Sequence, residues 1–589
     1  MNRYFLLAVV AISLVTACKD VEDFLDKTET TNLNEESVFT DSARSMQFLT
    51  RIYSDIGFSA NPKRFGGSIG VYSISDEAEM AAVGGDQWNI RFMTGNISAL
   101  QIPEDSWNTS YENIRRANVL LSHLATIPVS AGLKSRIEGE ARFLRAWYYF
   151  ILLKHYGGIP LAGDAVFGAE DQVPGKRNTF EECVNYIETE CNAAANLLPP
   201  TRTGLDYGRI TKGACLALRS RLLLYAASPL FNGRRESDGN GNIVAITENS
   251  SFSAELKAVI SYPTYERNRW EKAAQAALDA MNGPYSLYEN NVTSPGFGFQ
   301  QVFTMRVNPE YILANMEANN RTLETTWDPP SRTGSGSAFP YQELVDAFGT
   351  VNGKPITEDA SYNPNFPYAN RDPRLGWTVL YNERSRLNTS RTFSPVYTYV
   401  GAPQDGFVTT QGGAATRTGY YTRKMLDENT IRSTTSPTTQ RCLPLIRYAE
   451  ILLNRAEALN ESNDNPPLEV YELIAKIRKR AGILPGSENL YGLTEGMTQA
   501  EMRRAIQNER RVELAFEEHR YWDVRRWGIA SQVSNKTLHG MKITNTNGTY
   551  SYELVNIRTP VFQSPKWYLW PIHQDEINKS VELEQNPGW

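Results

Sequence analysis

The sequence predicts a mainly α-helical protein: a tetratricopeptide-like helical superhelix with a loop-rich, aromatic-rich insertion and a few short β-hairpins. Three observations predict it. Helical periods fill both ends of the chain, and in ARFLRAWYYFILL at 141–153 small and large residues alternate, the pattern that closely packed helix pairs need. Residues 284–440 are instead rich in Gly, Pro, Ser, Thr, Asn and aromatics, with few helical periods. The 589 residues are 41% hydrophobic and 21% charged, a globular composition long enough to bury a large core. The strict 34-residue tetratricopeptide consensus is not met, so an irregular helical domain is the alternative.

The elements follow in order. Glu35 to Phe58 reads as helix, and residues 61–106 as loop with short strands. Helices resume from Trp107. Thr179-Phe-Glu-Glu182 is a capping box opening a helix that Pro199-Pro200 stops. A helix from Thr211 to Ser228 precedes Pro229, and residues 232–250 are a polar insertion. Asn282-Gly283-Pro284 closes a helix that begins at Arg269. Beyond the loop-rich stretch, Tyr448–Asn460, Leu468–Arg480 and Gln499–Trp527 are helical, the last opened by a second capping box, Thr498 to Glu501. Short strands are expected near Tyr550 and Tyr568. The organisation is a leader at 1–17, an N-terminal region at 18–230, an insertion and helix at 231–283, and a C-terminal region at 284–589 that turns helical over 441–530.

The leader gives an address. Arg3 precedes an apolar run from Tyr4 to Val15, too short to span a bilayer and typical of a secretory signal. It ends in Val15-Thr16-Ala17-Cys18, which resembles a bacterial lipobox. That resemblance implies cleavage before Cys18 and acylation of it, and more than one acyl chain gives durable anchoring. Lys19 and then Asp20-Val21-Glu22-Asp23 follow, similar to the acidic export tags of glycan-foraging surface lipoproteins. Cys183 and Cys191 sit eight apart on one helix, about 12 Å, beyond disulfide reach. The four cysteines other than Cys18 read as buried apolar residues.

The familiar catalytic motifs do not hold up. Gly66 to Gly70 fits GxSxG, but strand alternation follows it where a nucleophile elbow needs a helix. Phosphate loops and HExxH are absent, and the five histidines have no ligand spacing. No metal or cofactor is expected. Asp238, Asn240 and Asn242 faintly resemble a calcium loop but lack its Gly and Glu, so a hairpin tip fits better. A formal charge of -6 argues against nucleic acid as a partner. The clusters Asp76/Glu77/Glu79 and Glu138/Glu140 are local in sequence and do not by themselves make the paired carboxylates of a glycosidase. In the last long helix, Glu509 and Glu513 fall on the apolar stripe of Met502, Ile506, Val512 and Phe516. Carboxylates there must be paired, with Arg447, Arg455 and Arg520 as partners, and the network reads as structural.

NERRVELAFEEHRYWDVRRWG at 508–528, LIRYAEILLNRAEALNE at 445–461, GEARFLRAWYYFILLKHYGGIPL at 139–161 and the terminal LWPIHQDEINKSVELEQNPGW resemble the hallmarks of the SusD/RagB family. WNTSYENIRRANVLL at 107–121, NRDPRL at 370–375 and GYYTRKM at 419–425 match in the right order. The resemblance implies the tetratricopeptide-like fold. It further implies a surface-exposed, lipid-anchored outer-membrane protein without catalytic activity, acting as lid on a SusC-like TonB-dependent transporter and passing captured glycan to it. A peptide-binding member is the alternative, a glycoside hydrolase the distant one.

A glycan catcher stacks aromatic rings on sugar C–H faces and bonds hydroxyls with polar groups. The reading places that platform on the two loop regions: Trp88 and Trp327 as stacking rings, with Asn89, Arg91, Arg332 and Tyr341 as polar partners. Trp107 and Trp147, on periodic helices, are assigned to packing.

Overall fold

The computed structural model describes residues 35–589 except 68, 82–86, 169, 240–241, 247–251, 410–414 and 434–435. Cys18 and the leader lie outside the described residues, as does Ser68 of the GxSxG match.

The superhelix is a run of packed helices. In chain order these are α1 (Ser42–Tyr53), α2 (Trp88–Thr94), α3 (Asp105–Ser122), α4 (Ala131–Tyr156), α5 (Phe180–Leu197), α6 (Lys212–Ala227) and α7 (Asn268–Met281), then α8 (Tyr448–Ser462), α9 (Leu468–Ala481), α10 (Gln499–Glu513) and α11 (Arg520–Arg526). From α3 the packing runs unbroken to α9, and α10 also packs on α8. Helix α7 packs on α8 across the whole 284–447 excursion between them. After Trp270 its buried residues are all alanine, at 273, 274, 276, 277 and 280, and such small side chains let two helix axes approach closely. Both capping boxes form: Thr179 and Thr498 each accept a bond from the third helical N–H, while Glu182 and Glu501 bond back.

Among the described residues the strands pair in six two-stranded antiparallel sheets. Strand β1 (Ala78–Met80) pairs with β5 (Ala338–Pro340), and β2 (Arg235–Ser237) forms a hairpin with β3 (Ile243–Ala245). Asp238 and Asn242 sit in the turn of that hairpin, as the sequence reading has it. Strand β4 (Tyr311–Met316) pairs with β10 (Cys442–Arg447), tying the start of the insertion to its end. The others are β6 (Val379–Leu380) with β9 (Tyr421–Thr422), β7 (Ser385–Leu387) with β8 (Phe393–Pro395), and β11 (Leu538–Thr546) with β12 (Thr549–Arg558). The segment at Lys566–Tyr568 is a 3-10 turn rather than the expected strand. Cys183, Cys191, Cys215 and Cys442 are free and buried, as expected.

The expected helix from Gln499 to Trp527 breaks between Glu513 and Arg520. Phe516 (φ 62°) and Glu518 (φ 66°) take left-handed backbone conformations, which side-chain-bearing residues adopt only under outside constraint. Two contacts supply it. Glu77 Oε1 accepts the Phe516 N–H at 2.8 Å, and the Phe516 ring packs on Tyr72 and Trp327, with centroids 5.8 and 5.9 Å away.

The carboxylates on the α10 stripe are buried and paired. Glu513 meets Arg447 at 2.7 Å, Arg374 at 2.9 Å and Arg480. Glu509 meets Arg374 at 2.6 Å and Arg478 at 2.8 Å. Glu310, Glu517, Asp372 and Lys424 complete a network of five carboxylates and five cations. The expected partner Arg447 is there. Arg455 pairs with Glu469 instead, and Arg520 with Asp76; the bend after α10 redirects Arg520. Burial alone would raise the Glu513 pKa, but Arg480, Arg447 and Arg374 hold it well below the usual carboxylate range.

Candidate functional site

The acids at 76–79 link the helical body to the loops. All three are buried. Asp76 takes Arg511 at 2.8 Å and Arg520 at 2.7 Å, holding α10 and α11. Glu79 takes Arg417 at 3.1 Å and Arg558 at 2.5 Å, and Arg558 ends β12. The β11–β12 hairpin is thereby pinned to the core at one end.

Along that hairpin lies a seam of tyrosines. Tyr550 and Tyr552 alternate on β12, so both point to one face, opposite Asn545 and Ile543 of β11. Tyr399 packs on Tyr550 at 6.0 Å, and Tyr397 on Tyr399 at 5.9 Å. Tyr368 lies edge-on to Tyr552 at 6.1 Å and stacks flat on Tyr381, with 4.3 Å between centroids and 16° between planes. Tyr397 is 39% exposed, and the other five are partly buried. Burial pushes the Tyr368, Tyr550 and Tyr552 hydroxyls up, so each stays a neutral O–H. Tyr550 donates to Glu383 at 2.9 Å, and the exposed Glu383 carboxylate stands at the rim. Rings with open faces beside hydroxyls and a carboxylate are what recognition of a polyol with apolar faces requires.

A deeper cleft lies elsewhere. It encloses about 650 Å³ and is walled by Lys354, Glu358, Arg374, Glu495, Arg504 and Glu509, among others. That volume suits a ligand, but no aromatic side chain lines it, and Arg374 and Glu509 are already spent on the buried network. It offers polar contacts without a stacking face.

The residues expected to form the platform fare differently. Trp88 opens α2 and is partly buried, with the Arg91 guanidinium 5.5 Å from its ring centroid. Arg91 also reaches Gln101 at 2.6 Å. These two meet and remain at the surface. Asn89 is buried. Trp327 is fully buried, its indole N–H donating to the Tyr72 hydroxyl at 3.4 Å. A ring without an exposed face offers no stacking surface, so Trp327 is a packing residue. Tyr341 is fully buried too, its hydroxyl donating to Glu79. Arg332 is buried and gives its bonds to Ser331 Oγ at 2.7 Å and to the Ser394 and Pro395 carbonyls at 2.7 and 3.0 Å. It fixes β8, which leads into Tyr397 and Tyr399. Trp327, Tyr341 and Arg332 thus support the loops without facing ligand. Flanking Pro and Gly had suggested exposure, but the β1–β5 pairing folds this segment inward. The seam residues went unpredicted, although VYTYV at 396–400 and TYSYEL at 549–554 carry a visible sign: tyrosine at every second position.

Two family models match the chain: "SusD family" over residues 300–589 and "Starch-binding associating with outer membrane" over 23–224. SusD-like protein P2 of Formosa agariphila is 23% identical over 610 aligned positions, covering 100% of each chain. A crystal structure of a SusD-like protein of Bacteroides fragilis superposes with a TM-score of 0.75 at 25% identity, covering 94% of this chain and 98% of that one. A second B. fragilis structure, described as a SusD-like carbohydrate-binding protein, gives 0.71 at 25% identity over 93% and 100% of the two chains. The order of helices, the split superhelix and these matches agree, and the chain belongs to the SusD family.

Proposed function

We propose that this protein is a lipid-anchored glycan-binding protein of the outer-membrane surface, capturing oligo- or polysaccharide and handing it to a SusC-like TonB-dependent transporter. It works by binding alone and needs no cofactor. The observation that carries the reading is the tyrosine seam, an array of six rings at the surface, one exposed and five partly buried, with hydroxyls and Glu383 at its edge. Trp88 with Arg91 forms a second contact point of the same chemistry. The family assignment supports the reading, as does a related protein described as carbohydrate-binding. Anchoring through Cys18 rests on the lipobox resemblance, and the partner on the family.

The test is affinity electrophoresis of the mature protein through gels with and without polysaccharides, followed by calorimetry on the retarding glycan. Retardation by one polysaccharide class is expected, and Tyr397→Ala should weaken it. Peptide binding with no glycan retardation would favour the alternative, and release of reducing sugar would overturn a binding-only role. Cys18→Ala is expected to remove lipid and surface labelling; unchanged labelling would sink the anchor.

A further inference from the structure

A small cavity of about 20 Å³ lies between α2 and the C-terminal segment, lined by Phe92, Met93, Tyr521, Arg525, Phe562 and Trp567, among others. That is room for one water or one ion of similar size. No side chain in its lining is a carboxylate, yet Arg525 is there and only 9% exposed. Arg525 stands apart from the other buried arginines of α10 and α11. Arg510, Arg520 and Arg526 each have a carboxylate at 3.0 Å or less. Arg525 has none: it lies over the Tyr521 ring, 3.5 Å from its centroid, and donates one bond, to the Tyr521 carbonyl at 3.1 Å. Its Nε–H is buried without an acceptor. The indole N–H of Trp567, on the same cavity wall, is buried without an acceptor as well. Ser534 adds a hydroxyl to the lining.

Burying a guanidinium without a counter-charge is strongly unfavourable, and an unbonded buried N–H adds to that. The π face of Tyr521 offsets part of it but accepts neither free N–H. A single-atom acceptor with negative charge would meet both N–H groups. We infer that this cavity is a binding site for one small inorganic anion of chloride size, held by Arg525 and Trp567. Aromatic rings carry positive charge at their edges, which suits the ring-lined wall to an anion. The ion would neutralise the one buried α10–α11 arginine that, among the described residues, has no carboxylate partner, and bind α11 to the segment at 560–570.

The experiment uses the mature chain at fixed pH and ionic strength, comparing Tm in sodium chloride with Tm in sodium gluconate. A ligand that binds the folded state alone raises Tm with its concentration, so Tm should climb with the chloride fraction and then level off. Crystals soaked in sodium bromide should show an anomalous peak in contact with Arg525. Arg525→Gln should abolish the chloride-specific part, leaving only the salt effect common to both proteins. Trp567→Phe keeps the ring and removes one donor, so it should weaken the dependence even if Arg525→Gln fails to fold. Equal Tm in both salts, or no bromide peak at Arg525, would mean that water fills the cavity and would overturn the site. Glycan binding at the seam is a separate measurement, so either result can fail without the other.

Discussion

Helix α10 and strand β12 hold their side chains in opposite ways. On the buried stripe of α10 the carboxylates are sealed in, Glu509 shared between two cations and Glu513 among three. On β12 Tyr550 and Tyr552 rest on Tyr399 and Tyr368 at 6.0 and 6.1 Å, partly exposed to solvent and held by few bonds. The first arrangement fixes geometry and has no spare valence for a ligand. The second has spare faces and hydroxyls and gives little rigidity. Stability and binding should therefore separate by region, and mutations can test that separation.

The largest expected effect is at Glu513. Glu513→Ala takes one buried carboxylate from Arg447, Arg480 and Arg374 together and leaves the network with one uncompensated cation, which should cost about 3–5 kcal/mol, read by urea denaturation. Because the folded pKa lies below the unfolded one, this contribution is present above the ordinary carboxylate value of 4.5. It fades as pH falls below that value. A denaturation midpoint within error of wild type would erase the contrast between the two regions.

Trp327→Ala comes next and decides whether the insertion has a core of its own. Removing a fully buried indole should destabilise by about 3–5 kcal/mol and loosen the Phe516 turn. If Tm holds and glycan binding falls instead, Trp327 is a ligand residue and its burial here is wrong.

Much of the helical region was legible in the sequence because its signals are local. Capping boxes, alanine stripes and proline stops act within a few residues, and Thr179 and Thr498 cap as read. The α10 carboxylates were legible too, since a charge on an apolar stripe demands a partner. Which partner was not: Arg374 lies 139 residues from Glu513, and nothing local joins them. The same limit explains Trp327 and Tyr341. Their surroundings in sequence are loop, but exposure is set by β1, Tyr72 and Glu79, more than 250 residues away. The break in the last helix depends on Glu77, a residue 439 positions from Phe516.

Glu77 gives a prediction in pH. Burial, aided by neighbouring Asp76, pushes its carboxyl from 4.5 up to about 7, against the Phe516 N–H that favours the charged form. The folded state thus holds a proton that the unfolded state releases between those values. Stability from this group is full below pH 4.5, falls as pH rises toward 7, and stays low above it. Glu77→Gln keeps an acceptor for Phe516 and removes the charge. Relative to wild type it should be neutral near pH 4 and more stable by ~3 kcal/mol above pH 7, at 1.36 kcal/mol per unit. Burial lowers the pKa of His155 and His519, which acts in the opposite sense but cancels in the difference between the two proteins. A difference that does not change with pH would show that Glu77 titrates normally.

The smallest effect in free energy is the most informative about function. Tyr397 is 39% exposed and its ring packs on Tyr399 of the seam. Tyr397→Ala should leave Tm unchanged and cost about 1–2 kcal/mol of glycan affinity, roughly tenfold. Trp88→Ala is the companion. Its ring is partly buried against the core, so some loss of stability should come with any loss of binding. Measured together by calorimetry and melting, the pair ranks the two contact points. A binding loss at Tyr397 alone assigns the platform to the seam, and a loss at Trp88 alone moves it to α2. Unchanged affinity in both variants would remove the stacking site from both places and leave the ring-free cleft beside Arg504 as the surface to test.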